Sequence, residues 1–422
     1  MLIVSPRSYN AIAAALIAFL LPMAGCGQPT APAHKTAPVR RTASPVPVVK
    51  PAPPVPQAPE RLATPPEIIR GVYLTTWSMG LKRRIDYVID LSKRTGVNAV
   101  VIDIKDYSGY VAYRTGVPEA QKYGAVRATV RDIDSVINRL HGANIYVIAR
   151  ITVFQDPILA RVRPELAVHR ASLVKAESGL SEKTIWLDHK GLAWIDPASR
   201  PAWDYNIAIA RDTLKHGFDE VNFDYIRFPS DGNMRDMHYP VWNGKTPKAA
   251  VIRDFFAYLR AKMSDTPISA DLFGLATVNS DDLGIGQVIE SAYANFDYVC
   301  PMVYPSHYAK GFRGFPKPAE HPYEVVKYSM EKAVARLRAL QRPAPTAGGA
   351  AQAPTPRLAK LRPWLQDFDV GAIYDAGRVR AQIGATEAAL GSDYAGYLMW
   401  APSNVYTEAA LEEPKTESEV GQ

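Results

Sequence analysis

From Ile69 onward, short apolar runs rich in β-branched and aromatic residues alternate with longer stretches whose apolar positions recur every three or four residues. The runs are 71–77 (GVYLTTW), 99–106 (AVVIDIKD), 145–154 (IYVIARITVF), 220–229 (EVNFDYIRFP), 268–274 (ISADLFG), 298–304 (YVCPMVY), 361–368 (LRPWLQDF) and 396–401 (GYLMWA). Their near-continuous apolar character marks strands covered on both faces, as in a parallel sheet. Helical periodicity fills the intervals at 81–94, 130–141, 203–216, 248–263, 323–340 and 379–390. Eight such strands with crossover helices predict an α/β fold, a (β/α)8 barrel of the TIM type, over residues 67–410. An open doubly wound sheet is the alternative. Long loops at 155–200 and 229–247 follow the third and fourth strands, 343–357 reads as an insertion before the seventh, and 411–422 is a polar tail.

The alternation stops upstream of Ile69. Arg7 precedes an apolar run at 11–21 that is too short to span a bilayer as a helix. Together with Met23-Ala24-Gly25-Cys26, which resembles the lipobox of bacterial lipoproteins, it predicts a signal peptide over 1–26 with Cys26 as the lipidation site. Met23 stands where that motif usually has leucine, and an ordinary signal peptide is the alternative reading. The protein is therefore expected outside the cytoplasm, held to a membrane through Cys26. Gly27, in the place where enteric sorting signals carry aspartate, points by resemblance to the outer membrane if the host has one. With Cys26 lipidated, Cys300 has no partner for a disulfide, and the fold must rest on its core.

Residues 27–66 read as a tether. Twelve of the 39 residues from 28 to 66 are proline, which favours an extended, semi-rigid chain over a packed domain. At ~3.1 Å per residue it would carry the barrel roughly 100 Å from the lipid. Lys35, Arg40, Arg41, Lys50 and Arg61 face only Glu60 there; with Arg7 they supply +5 of the formal net charge of +7. The barrel is thus nearly neutral, and the basic balance loses its force as an argument for a nucleic-acid partner.

In barrels of this kind the reacting groups stand at the C-terminal ends of the strands. The densest candidate segment is 217–231 (GFDEVNFDYIRFPSD). Strand alternation puts Asn222, Asp224 and Ile226 on one face and Val221, Phe223 and Tyr225 on the other. An acid among apolar residues at the end of a buried strand is costly unless paired or functional. Arg227 offers the pairing as a plain ion pair. Asp271 closes the fifth strand, next to the fourth; a loop-ordering cap is its other reading. Asp103 lies on the second strand, with Lys105 expected on the same face as its partner. Asp106, Asp367 and Asp369 are further acids, and Arg150 is placed to hold a carboxylate inside the barrel or to form a structural pair. Trp77, Trp364 and Trp400 at strand ends, Trp186, Trp194 and Trp242 in the long loops, and Tyr304 and Tyr308 are either core residues or ring platforms that could stack on a ligand.

Other chemistries find less support. Gly244-Lys245-Thr246 resembles the end of a P-loop, but Tyr239 occupies the position of its first glycine, and nucleotide binding is not expected. The eight histidines show no paired metal spacing, so neither a transition metal nor a cofactor is expected, and a loop Ca²⁺ site stays open.

The segments RGVYLT, NAVVIDIKDYSG, IYVIARITVFQDP, WIDP (194–197), DEVNFDYIRFP, SADLFG and CPMVYPSHY occur in this order over most of the folded region. The region resembles a bacterial family of glycoside-hydrolase-type domains, long without assigned function and distantly akin to the α-amylase-like barrels. The resemblance implies hydrolysis of an O-glycosidic bond in an extracytoplasmic poly- or oligosaccharide, with Asp224 in the position of the nucleophile. It departs from the amylases at the fifth strand, which ends in Asp271 where they have glutamate. Glycoside cleavage needs two carboxyl groups flanking one bond. Asp224 is expected as nucleophile or base, Asp271 as general acid with Asp103 competing, and Asn222, Arg227, Tyr304, Trp77, Trp400 and Arg150 as residues orienting the carbohydrate. A non-catalytic glycan-binding barrel and a transglycosylase are the rival readings.

Overall fold

The eight apolar runs form eight parallel strands that close on themselves in a computed structural model, which describes residues 59–342 and 358–412. Strands β1 (Ile69–Leu74), β2 (Ala99–Lys105), β3 (Tyr146–Thr152), β4 (Glu220–Asp224), β5 (Ile268–Phe273), β6 (Tyr298–Met302), β7 (Trp364–Gln366) and β8 (Gly396–Trp400) pair in chain order. β8 pairs back onto β1, and Trp364 beside Met302 joins β7 to β6, which closes the barrel. The lipobox with Cys26, the insertion at 343–357 and the tail from 413 lie outside the described residues.

A helix follows each strand: α1 (Lys82–Arg94), α2 (Ile133–His141), α3 (Arg200–Leu214), α4 (Lys248–Lys262), α5 (Ile289–Tyr293), α6 (Pro322–Gln341), α7 (Ala376–Leu390) and α8 (Glu408–Leu411). Each buries one stripe, as Ile85, Val88 and Leu91 do in α1 and Ile133, Ile137 and Leu140 in α2. α5 and α8 are too short to carry a periodic signal.

Three expectations change. The fourth strand, expected through Pro229, ends at Asp224 because Tyr225 takes a left-handed backbone with φ of 53°; Ile226 therefore leaves the strand face. A bulge between Asp103 and Lys105 turns these two residues apart. Lys105 leaves the barrel interior and pairs with Asp156 at 2.8 Å, also donating to the Thr152 carbonyl at 2.6 Å. Finally, the chain belongs with the barrel from Pro59, not from 67. Pro59 is buried, the Leu62 amide donates to Asp219 Oδ1 at 2.7 Å, and Arg61 Nη2 donates to Thr266 Oγ1 at 3.0 Å. Asp219 and Thr266 precede β4 and β5, so the chain enters at the N-terminal end of the barrel, opposite the strand ends that carry chemistry.

The barrel interior is unusually polar. Its lower tier is a fully buried pair, Glu220 with Arg362, in which Ser269 Oγ also donates to Glu220 at 2.5 Å. Closure at the β8–β1 seam requires Gly396, whose φ is +101° and whose absent Cβ would fall 1.9 Å from the Ile69 carbonyl oxygen. Gly396→Ala should therefore cost about 2 kcal/mol or more, from backbone strain and overlap together. An unchanged urea midpoint would show that the seam yields freely.

Candidate active site

Successive strands place side chains of the same phase at the C-terminal mouth. β2 presents Asp103, β3 Arg150, β4 Asp224 and β5 Asp271, and Asp103 lies directly beside Arg150 in the register. The Arg150 guanidinium gathers all three acids. Its Nη1 donates to Asp103 Oδ1 at 2.6 Å, its Nε to Asp271 Oδ2 at 3.3 Å, and its Nη2 to Asp224 Oδ2. The remaining oxygens are held as well. The Tyr73 hydroxyl donates to Asp103 Oδ2 at 2.5 Å, and the Tyr225 amide to Asp224 Oδ1 at 2.5 Å. Asn222 Nδ2 and Trp364 Nε1 both donate to Asp271 Oδ1, at 2.8 and 2.7 Å.

Three carboxyls share one cation, so they cannot all ionise without cost. Burial, then the charge of Asp224, pushes Asp271 up to about 7. Burial also raises Asp103, against the opposing pull of Arg150 and Tyr73. Asp224 is the most open of the three, 5% exposed against 1% for Asp271. The site thus sets the more open carboxyl of Asp224 beside the more deeply buried Asp271, pushed up towards neutrality, on adjacent strands, an arrangement suited to acid/base work on one bond.

The elevated value for Asp271 has a consequence for stability. An acid whose pKa is raised on folding leaves stability intact below its unfolded value near ~4 and erodes it as pH climbs through the folded value. The erosion here falls between about pH 4 and about 7. Asp271→Asn should remove that component, so the melting temperature of the variant relative to the parent should rise from pH 5 to pH 8. A constant difference across this range would show that Asp271 is ionised throughout.

The structure sorts the other expected residues. Trp400 stacks on Tyr73 at 4.0 Å between ring centres, and the Arg150 guanidinium lies 5.5 Å from its ring, so it flanks the acids. Tyr304 and Tyr308 line a cavity of about 270 Å³ with Phe273, Gly274, Met302 and His307, beyond the ends of β5 and β6. Asn222 is 0% exposed and cannot meet a substrate; it holds Asp271 from within. Trp77 is 62% exposed and lines a separate shallow pocket with Asp106, Tyr110 and Arg127.

Arg227 does not pair with Asp224, whose cation is Arg150. The tryptophans of the long loops form no platform, since Trp186 and Trp194 are buried and donate to the Asn233 carbonyl and Asp188. Trp242 donates to the Thr246 carbonyl, and its ring packs against Phe228 and Tyr239. Asp106 orders its own turn through Ser108, Asp367 holds Thr407, and Asp369 caps the Tyr374 amide.

Sequence reasoning left out Tyr73, Phe273 and His307. Tyr73 and Phe273 had a signal: each shares the alternation phase of a candidate on its own run, Trp77 and Asp271. His307 sits in a short turn after β6 and had none.

Residues 71–406 match the sequence family described as "Putative glycosyl hydrolase domain". The chain belongs to this family. Among solved structures, a hypothetical protein from Ruminiclostridium thermocellum ATCC 27405 is 36% identical, over 51% of this chain and 98% of that one, with a TM-score of 0.42. The glycoside hydrolase domain of PgaB (BpsB) from Bordetella bronchiseptica is 16% identical, over 82% of this chain and all 100% of that one, with a TM-score of 0.55. An α-galactosidase from Thermus thermophilus, TtGalA, is 11% identical, over 86% and 62%, with a TM-score of 0.43. No curated protein sequence matches the chain. The family is thus one of glycoside-hydrolase-like domains, and the likeness to the PgaB domain is one of fold.

Proposed function

We propose that this protein hydrolyses O-glycosidic bonds in an extracytoplasmic poly- or oligosaccharide. The observation that carries the reading is the gathering of three strand-end carboxyls by Arg150 at the C-terminal mouth, flanked by Trp400. Asp224, the most open, is the carboxylate that attacks the anomeric carbon or activates water. Asp271, whose pKa burial and the Asp224 charge push up to about 7, supplies the proton in the pair. A specific observation favours a second reading, a glycan-binding barrel without turnover: both oxygens of Asp271 and of Asp103 are already engaged by protein donors. Release of reducing ends from a panel of bacterial exopolysaccharides and cell-wall glycans, beside binding to the same panel, separates the two. Binding without any release favours the second.

A membrane tether for this activity is part of the proposal. The apolar run ending at Met23-Ala24-Gly25-Cys26 supports lipidation of Cys26. Cys26→Ala should leave the precursor unprocessed by the lipoprotein peptidase and the protein free of the membrane. Recovery of that variant in membrane fractions at normal mature mass would remove the anchor from the proposal.

A further inference from the structure

Among the described residues, Arg227 is a cation without a counter-ion. The residue is only 7% exposed, and among the described residues it forms no ion pair with any carboxylate. Its protein hydrogen bonds both leave from Nη1, to the Phe228 carbonyl at 3.1 Å and to Ser230 Oγ at 3.1 Å, so Nε and Nη2 are unspent. Aromatic rings surround it instead: Trp194 at 4.8 Å, Phe273 at 4.6 Å and Tyr225 at 5.3 Å from the guanidinium carbon. Asp188, an acid near enough to feel this charge, is turned away to accept from Gln155 Nε2, Trp194 Nε1 and two backbone amides.

A buried charge without a partner is costly, and rings recover only part of the cost. A protein that merely needed to fill this space would do better with an apolar side chain. The place of the charge supplies a reason to keep it. Phe273, which touches Arg227 on one side, lines the 270 Å³ cavity that also contains Tyr304. Asp224, three residues before Arg227, feels its charge without bonding to it.

We infer that Arg227 is a specificity residue for an anionic glycan, its unspent guanidinium edge receiving the oxyanion of a sugar substituent next to the bond presented to Asp224. The inference rests on the hydrolase reading for the word substrate, but the subsite itself concerns binding. The chemistry fits a uronate carboxylate or an ester sulfate. Each offers two oxygens in one plane to a planar fork of donors, and the bond is charge-assisted on both sides.

The test uses the full chain and its Arg227→Met and Arg227→Lys variants. Probes are uronate-containing, sulfated and neutral oligosaccharides of matched linkage, read by thermal shift and by direct titration. The parent should bind at least one anionic series about 10- to 100-fold more tightly than its neutral counterpart. The uronate and sulfate arms tell which oxyanion is read. Arg227→Met should abolish that preference, and without ligand it should melt at or above the parent temperature, because an uncompensated buried cation has gone. Arg227→Lys should keep part of the preference, having the charge without the fork.

Equal binding of anionic and neutral probes by the parent would overturn the inference, as would an intact preference in Arg227→Met. A ligand-free Arg227→Met protein that melts well below the parent would also overturn it, since Arg227 would then be a structural clamp on the rings. Failure of the hydrolase reading looks different: anionic glycans would bind through Arg227 and never be cleaved. Cleavage confined to neutral or cationic glycans would leave the hydrolase standing and remove the anionic subsite.

Discussion

Asp224→Asn is expected to reduce glycan turnover by about 10³-fold or more while leaving the melting temperature unchanged or raised. The size of the loss follows from the role: the amide keeps the shape and can neither attack an anomeric carbon nor take a proton from water. The sign of the stability change follows from the charge count at Arg150. Three carboxyls surround this one guanidinium, so neutralising Asp224 leaves Arg150 paired with Asp103 and Asp271. No buried cation is stranded, and one of the carboxyls competing for that cation loses its charge. The same substitution should lower the pH at which Asp271 ionises, because the Asp224 charge is the second cause of its elevation after burial. The stability lost between pH 4 and 7 should then be lost at lower pH. Reducing-end release and a pH series of melting curves on one variant check all three statements. Full turnover in a destabilised protein would make Asp224 a structural partner of Arg150 and end its catalytic assignment.

How far the sequence discloses this site depends on whether a residue is placed by its own strand or by a neighbour. Asp103, Arg150, Asp224 and Asp271 each stand at the interior phase of an apolar run, and alternation alone finds them. Their union does not show in the sequence. It arises from the register, which sets Arg150 level with Asp103 on one side and Asn222 on the other. With no register in hand, the nearest arginine in sequence, Arg227, is the natural partner for Asp224; the left-handed turn at Tyr225 carries it elsewhere. That turn occurs at a tyrosine, which gives no hint of positive φ. The bulge after Asp103 is equally silent, and it moved Lys105 from an inner pair with Asp103 to an outer pair with Asp156. Composition shows that the long loops are rich in tryptophan, but not that Trp194 must fold under Arg227 rather than face a sugar.

The largest loss of stability should come from Arg150→Met. Removing this guanidinium leaves Asp103, Asp224 and Asp271 in a buried space where, among the described residues, no other cation pairs with them and their side-chain donors are Tyr73, Asn222 and Trp364. Stranding the charges of a broken buried pair costs about 3–5 kcal/mol, and here three pairs lose the same partner. The cost is avoidable by protonation, which fixes its pH dependence. Without Arg150 the folded-state pKa values of Asp103 and Asp271, both already raised, rise further above their unfolded value near ~4. Below that value the acids are neutral in both states and the variant loses little. As pH rises, folding must either hold extra protons or bury bare carboxylates, and stability falls. The deficit relative to the parent should therefore be small near pH 4.5 and largest near pH 8. Arg150→Lys should fall between the two, since one ammonium keeps the charge but cannot span three carboxyls. Melting curves of the three proteins at the two pH values decide the matter. A deficit of equal size at both would mean that Arg150 matters as a spacer against Trp400 and Tyr73, whose rings lie 5.5 and 5.8 Å from its guanidinium carbon. A deficit that grows with pH would establish it as the cation that lets three acids coexist at the mouth of one barrel.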